Sequence, residues 1–384
     1  MFNIIVIGCG FAGAVAARKL AEEKNKKVLL LEKRSHIAGN MYDEMDENGI
    51  YIHRYGPHIF HTKLEFVLEY LKRFSDWFFY EHRVLGKIDG QLVPIPFNFS
   101  SIEKLFPEEK ADIIKRRLVD VFPDRQEISV LELLNISDAI IKELGQYIFE
   151  KVFVNYTAKQ WGISIKQVDK SVINRVPVVL GYDDKYFQDK IQCMPKYGYT
   201  KLFENILNHP NITVILNCNA AERIKIVDEN VYFDGDIYRK PIIYTGAVDE
   251  LLNYKYAELP YRSLDLVFEQ YDMTNFQPCA VINYPNEEDF TRITEFKYLT
   301  GQVVVGKTTI LKEYSMQYNM TSEKGNIPYY PIINKQNIKQ YEMYKADIER
   351  IGNVFLCGRL SEYKYYNMDA VIDKALKLAE GINI

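Results

Sequence analysis

The sequence predicts an α/β protein built on a doubly wound parallel sheet, with an inserted helical domain and an antiparallel sheet domain. Three observations carry this expectation. The apolar, β-branched run Ile4-Ile5-Val6-Ile7 leads straight into Gly8-Cys9-Gly10-Phe11-Ala12-Gly13 and an Ala-rich helical stretch from Ala14. A second apolar strand, Val28-Leu29-Leu30-Leu31, ends in Glu32. Further on, short apolar runs bounded by turns return at Ile212–Leu216, Ile242–Tyr244 and Val354–Leu356. Strand, glycine turn, helix, second strand and acid in that order form the Rossmann-like dinucleotide fingerprint. The first glycine permits the turn, the second lets backbone approach a pyrophosphate, and the third lets helix pack on strand. The helix N-terminus offers N–H groups and partial positive charge to phosphates, and Glu32 suits a ribose hydroxyl.

The remaining elements follow in order. Leu64 to Phe74 reads as a helix. Val84–Ile88 and Gln91–Val93 flank Asp89-Gly90, a hairpin turn, with Pro94 and Pro96 ending the second strand. Residues 101–165 carry apolar positions at i, i+3 and i+4 spacing and read as helical. Leu264–Phe268, Ala280–Asn283 and Val303–Val305 read as strands of a second sheet, and Met368–Ala379 as a last helix.

Bulk properties exclude several classes. A net charge of -4 and an acidic pI of about 6.0 argue against nucleic-acid binding. No apolar run approaches the roughly 20 residues that span a bilayer, and the N-terminus lacks a basic leader. The five cysteines are scattered without C-x-x-C spacing, which fits free thiols in a reducing cytosol. His53, His58 and His61 lie close in sequence, but no further Cys or acid stands at metal-ligand spacing, so no metal is expected. A Gly-Pro turn between histidines better fits a loop against a cofactor ring. Tyrosine (29) and phenylalanine (21) are abundant, which fits either composition bias or an aromatic-lined pocket.

Thr245-Gly246-Ala247 after one strand and Cys357-Gly358-Arg359 after another each fit a close approach to a dinucleotide or an ordinary turn. The Gly-Arg pair is placed to reach a pyrophosphate from the far end of the chain; FAD enzymes of this architecture often close the flavin site this way, so by that resemblance FAD is expected over NAD. Arg175 and Arg292 lie in different segments and suit a diphosphate clamp, although a surface ion pair is the commoner fate of one arginine. Tyr156 and Trp161 suit a nucleobase or simply the core.

Taken together, these stretches resemble the bacterial UDP-galactopyranose mutase family of flavoenzymes. The resemblance runs almost end to end. Its specific parts are Tyr156-Thr157-Ala158-Lys159-Gln160-Trp161-Gly162, Pro328-Tyr329-Tyr330-Pro331 and Glu362-Tyr363-Lys364-Tyr365-Tyr366, joined by Tyr55-Gly56-Pro57-His58-Ile59-Phe60-His61. It implies an isomerase that interconverts UDP-galactopyranose and UDP-galactofuranose by covalent catalysis at N5 of reduced FAD, with no net redox change. It also implies a cytoplasmic homodimer that needs a cellular reductant such as NAD(P)H and supplies cell-surface polysaccharide synthesis. Carried onto this chain, Arg175, Arg292, His58 and His61 are catalytic. Phe153, Tyr156, Trp161, Tyr186, Arg262, Asn283, Tyr330 and Tyr365 contact substrate. Gly8, Gly10, Phe11, Ala12, Gly13, Glu32, Lys33, Gly39, Asn40, His58, Thr245, Gly358, Arg359, Asn367 and Met368 hold FAD.

The expected division is a Rossmann-like FAD domain from 1–75, 195–248 and 345–384, a helical substrate domain over 101–165, and an antiparallel sheet domain from 76–100, 166–194 and 249–344. Three residues depart from the family's pattern. Ala38 stands where Gly is usual, Asn367 where Asp is frequent, and Cys357 where Gly is common; the last is expected to be oxidation-sensitive. The competing functions are a mutase for the N-acetylated sugar, against which His61 speaks, an amine-oxidase-type FAD oxidoreductase, and a nucleotide-sugar binding protein with a structural flavin.

Overall fold

A computed structural model of the chain describes residues 2–162, 173 and 176–382. The fingerprint folds as its sequence demands. Strand β1 (Ile4–Ile7) runs into helix α1 (Phe11–Glu23), and strand β2 (Val28–Leu31) returns beside it. The helix starts at Phe11 rather than Ala14, because Gly10 already serves as its N-cap. Five parallel strands form one sheet in the order Ile212–Ile215, β2, β1, Ile242–Tyr244, Val354–Leu356. Alternation divides its residues between two cores. Ile4, Val6, Val28 and Leu30 face α1 and the last helix, while Ile5, Ile7, Leu29 and Leu31 pack with Tyr341, Tyr344 and Ile348 on the other side. With both faces covered, β1 and β2 are buried throughout, as a parallel sheet requires.

A seven-stranded sheet forms the second layer, in the order Tyr330–Pro331, Tyr261–Tyr271, Thr308–Gln317, Arg292–Glu295, Val281–Asn283, Val84–Ile88, Gln91–Ile95. It is antiparallel except where Val281–Asn283 runs parallel to Val84–Ile88. The Asp89-Gly90 hairpin forms, but its second strand continues through Pro94 to Ile95. That strand is an edge, where a missing N–H removes no ladder bond. Val303–Val305 is not a strand. Val303 is 90% and Val305 79% exposed, and their loop wraps the Lys297 ammonium, which donates to the Val304 and Lys307 carbonyls. The apolar run there was a strand signal without a buried face to fill. A separate helical core gathers Ile102, Ile114, Leu118, Leu133, Ile141, Leu144 and Ile148. Phe60–Thr62, Ile191–Pro195 and Trp77–Phe79 form a separate small sheet.

The parallel sheet and α1 meet closely at the fingerprint. A Cβ on Gly13 would lie 1.9 Å from the Gly8 carbonyl oxygen, so α1 sits directly on the turn that feeds it. Gly13→Ala is expected to lower the stability of the FAD-free protein by at least about 3 kcal/mol, the severe end of overpacking, because backbone cannot yield as a side chain does. Urea unfolding followed by circular dichroism measures it.

Candidate active site

The carboxyl ends of the parallel strands open into a cavity of about 980 Å³, at the upper end of ligand-pocket sizes. Ile7, Leu31 and Tyr244 bring their strand ends to it. Gly8 turns at φ +94°, and a side chain there would strike Thr245 Oγ1, which donates to the Ile7 carbonyl at 2.7 Å. At Gly10 a Cβ would meet nothing within 4 Å among the described residues, whereas one on Gly39 would come 3.0 Å from Gly10 Cα. Two backbone loops therefore abut beneath open space. Helix α1 begins there with no side-chain cap and no acid in its first turn, which leaves its N-terminal field for an anion.

Charged groups line the rim. The Glu32 carboxylate, 5% exposed, accepts the Cys9 and Arg34 N–H groups at 2.8 and 2.9 Å. Arg34 lies over the Tyr55 ring at 4.2 Å and donates to Asn40 Oδ1 at 2.9 Å. Its Nη1 is buried with no hydrogen-bond partner among the described residues, a donor that an acceptor in the cavity would satisfy. Arg359 donates to the Tyr366 carbonyl at 2.8 Å and stands 5.1 and 4.8 Å from the Tyr330 and Tyr365 rings. An open anion cradle, a ribose-type acid and an orphaned guanidinium nitrogen fit a dinucleotide such as FAD.

Of the residues expected to hold the cofactor, Gly8, Gly10, Phe11, Ala12, Glu32, Lys33, Gly39, Asn40, His58, Thr245, Gly358, Arg359 and Met368 line this cavity. Gly13 does not; it serves helix packing. Nor does Asn367, which is exposed and sits at the N-cap of the last helix. Arg34, Met41 and Tyr329 also line it and were missed. Ala38 takes a left-handed φ of +73°, so its departure from glycine costs backbone strain rather than space. Cys357 is fully buried, and burial pushes its thiol up to about 12. That corrects the expected oxidation sensitivity, since the thiolate is the reactive form.

Beside the cavity, three polar side chains line up across the larger sheet. Asn283 pairs with Arg292 on the next strand, and Arg292 with Glu313 on the one after, so all three leave the same face. Arg292 Nε lies 2.9 Å from Glu313 Oε1, their side chains 25% and 1% exposed. Burial opposes the Arg292 cation, but Glu313, with Tyr156, Tyr330 and Tyr186 near, outweighs it and raises the guanidinium further. Burial raises the Glu313 carboxyl, with Arg292 pulling the other way. Asn283 Oδ1 is buried with no partner among the described residues. Burial pushes the Tyr156 hydroxyl up to about 12, and Tyr330 and Tyr365 stack at 6.0 Å.

His58 joins the two parts, for it lines the cavity and feels Arg292. Burial, then His53 and Arg359, push it down to about 3. Its Nδ1 lies 2.8 Å from the Gly56 carbonyl, which assigns the Nδ1–H tautomer and leaves Nε2 as an acceptor. His61 Nδ1 lies 2.6 Å from Asp189 Oδ2. Tyr186 packs at 5.6 Å against His82.

Two expected substrate contacts have other roles. Phe153, 7% exposed, packs in the helical core. Arg262 is 6% exposed and donates to the Gln160 and Lys159 carbonyls and to Ser315 Oγ. It fastens the end of the helix Asn155–Trp161, where carbonyls lack helical partners. Arg175 and the Trp161 side chain lie outside the described residues. Glu313, His82 and Asp189 carried no motif that singles them out, while Arg34 stands two residues past the ribose acid.

Fold and cavity define a Rossmann-type dinucleotide-binding protein, and a family model for NAD(P)-binding Rossmann-like domains matches residues 6–74. The family model described as UDP-galactopyranose mutase matches residues 151–365. A UDP-galactopyranose mutase of Mycoplasma genitalium is 35% identical over 99% of this chain and 95% of its own length. A dTDP-fucopyranose mutase of Escherichia coli is 34% identical over 99% and 98%. The crystal structure of a reduced UDP-galactopyranose mutase shares the fold at TM-score 0.74 and 17% identity, over 99% of this chain and 93% of that one. A putrescine oxidase does so at 0.56 and 12%, over 99% and 98%. The chain belongs to the UDP-galactopyranose mutase family of isomerases.

Two outcomes follow. His82 is 4% exposed, and burial, with Arg292 and His61, pushes it down to about 3. Below pH 6.5 the unfolded chain binds a proton there that the native state refuses, so stability falls as pH drops from about 6.5 toward 3. In urea unfolding between pH 6.5 and 4.5, His82→Asn is expected to lose stability less steeply than the parent, by up to about 1.4 kcal/mol per pH unit. Ala38→Gly relieves a left-handed alanine, offset by glycine's larger chain entropy. It is expected to be neutral to about 1 kcal/mol stabilising at pH 7.5, read from the same unfolding curves.

Proposed function

We propose that this chain interconverts UDP-galactopyranose and UDP-galactofuranose, using reduced FAD held in the cavity. The observation that carries the proposal is the Asn283–Arg292–Glu313 row beside a dinucleotide cavity, with His58 common to both. Reduced FAD, when bound, supplies a nucleophilic N5 for the anomeric carbon. Gly10, Gly39 and the start of α1 would receive its pyrophosphate, Glu32 a ribose hydroxyl, and Arg34 and Arg359 its remaining acceptors.

The chain's own groups bind and orient. Arg292 presents its guanidinium to the substrate diphosphate, and Glu313, 2.9 Å from its Nε, restrains it as an ion pair while leaving its other nitrogens for phosphate oxygens. Arg175 is the proposed second clamp, on a loop that closes over substrate and excludes water. Trp161 is proposed at the uracil and sugar. Tyr156, with its hydroxyl pushed up to about 12, keeps its proton at neutral pH and donates it. Tyr186, Tyr330 and Tyr365 are its proposed partners around the nucleotide, and Asn283 offers its unpartnered Oδ1. His58, held uncharged, adds an acceptor without a further cation. Cys9, with its thiol pushed up to about 12 by burial, stays protonated beside the cofactor and is no rival nucleophile. A reductant such as NAD(P)H, a homodimer, a cytoplasmic location and service to cell-surface glycan synthesis complete the proposal.

A relative acting on a dTDP sugar stands at the same level of identity, so dTDP-fucopyranose is the second substrate to test. The assay mixes FAD-loaded protein with UDP-galactofuranose under anaerobic conditions, with and without dithionite, and separates the products. UDP-galactopyranose is expected only with dithionite. Turnover of dTDP-fucofuranose or the N-acetylated sugar instead would reassign the substrate, and net substrate oxidation would replace the mutase with an oxidase. Arg292→Lys keeps a cation opposite Glu313 but loses the planar fork. It is expected to lower kcat/KM about a hundredfold, as loss of a preorganised donor does, with FAD affinity within twofold by fluorescence titration.

A further inference from the structure

A second arrangement lies near the polar row, and the mechanism above leaves it unused. His61 stands opposite Gln192 on the neighbouring strand, so their side chains leave the same face of that sheet. The His61 ring lies flat on Phe187, with centroids 3.7 Å apart and planes 12° from parallel. Its Nδ1 is 2.6 Å from Asp189 Oδ2, and the two side chains are 14% and 16% exposed. That distance suits a hydrogen bond to a carboxylate. The loop that carries Phe187 and Asp189 is itself tied down. Gln192, 2% exposed, donates through Nε2 to their two carbonyls at 2.9 and 3.0 Å. Its Oε1 accepts the His82 N–H at 3.1 Å. His82 packs 5.7 Å from Phe187, and Arg292 and His61 both depress its basicity. One buried amide therefore links the His61 pocket to the neighbours of Arg292.

We propose that Asp189 is a positioning residue, which holds His61 in its Nδ1–H tautomer and presents Nε2 to a hydroxyl of the substrate's sugar. A carboxylate only accepts, so the proton between the two groups belongs to Nδ1. With one ring face on Phe187 and the Nδ1 edge on Asp189, the Nε2 edge is what His61 has left to offer. Free imidazole exchanges its proton between both nitrogens; a fixed acceptor at Nε2 needs a partner that holds the proton on Nδ1, and at His61 that partner is Asp189. The identity of the sugar rests on the mutase proposal, whereas the tautomer does not.

The test uses FAD-loaded protein labelled with ¹⁵N-histidine, at pH 8, with His61→Asn assigning the His61 signals. Parent, Asp189→Ala and Asp189→Asn are compared free, with UDP, and with UDP-galactopyranose. The parent is expected to show a protonated Nδ1 and a bare Nε2, and UDP-galactopyranose, but not UDP, to move the Nε2 signal upfield. Asp189→Ala is expected to lose the tautomer preference and to lower kcat at least tenfold with KM within threefold. Asp189→Asn, whose Oδ1 still accepts, recovers part of both. A role confined to stability would instead lower the melting temperature and leave the tautomer alone. A parent ring with a protonated Nε2, or an unchanged tautomer in Asp189→Ala, overturns the proposal. A parent with the expected tautomer that turns over no UDP-galactose overturns the mutase proposal and the sugar contact, and leaves Asp189 as the tautomer's anchor.

Discussion

A guanidinium and a carboxylate, Arg292 and Glu313, face each other on adjacent strands, with the carboxylate shut off from water and the guanidinium part-exposed toward the site. The buried carboxylate holds its charge there only because the guanidinium faces it. Removing one partner of such a pair costs about 3–5 kcal/mol, because the survivor is left charged and unsolvated. The pair is a poor choice for stability alone, since well-packed apolar residues often do as well or better. Its use is positional. A strand register fixes both backbones, and the ion pair restrains the guanidinium more than the side chain of a lone surface arginine is restrained. Burial raises the Tyr156 and Tyr330 hydroxyls, so both remain protonated beside the cation.

The dinucleotide side follows a different economy. There the chain withholds side chains: Gly8 and Gly13 allow helix, turn and Thr245 to close up, while Gly10 and Gly39 leave backbone bare above the start of α1. Polar side chains enter at the rim, where Glu32 and Arg34 stand on one β-strand end and Arg359 on another. His58 is the residue that both sides share. It lines the cavity and its Nδ1 donates to the carbonyl of Gly56, which lies against Glu313; burial, then His53, with Arg359 and Arg292 behind, depresses its basicity.

The dinucleotide half was legible in the sequence because its constraints are local. A glycine turn, a helix start and an acid at a fixed offset are dictated by backbone geometry within about thirty residues. The polar row was legible only in part. Arg292 and Asn283 emerged from motif context, but Glu313 reads as one more polar residue in an alternating strand, and its meaning comes from register with a strand some twenty residues away. Asp189 and Gln192 are invisible for the same reason. Arg262 misled in the opposite sense: an arginine in a conspicuous motif fastens the end of a helix. Val303–Val305 shows the limit of periodicity, for an apolar run becomes a strand only where a neighbour's backbone and a buried face await it.

In the proposed reaction the polar row receives the diphosphate while the sugar lies between it and the cofactor. A crystal structure of the reduced, FAD-loaded protein with UDP-galactopyranose tests this most directly. Diphosphate oxygens are expected within hydrogen-bond distance of Arg292, with the anomeric carbon facing the flavin beside His58. A diphosphate bound elsewhere, with Arg292 still closed on Glu313 and no sugar near the flavin, would contradict it.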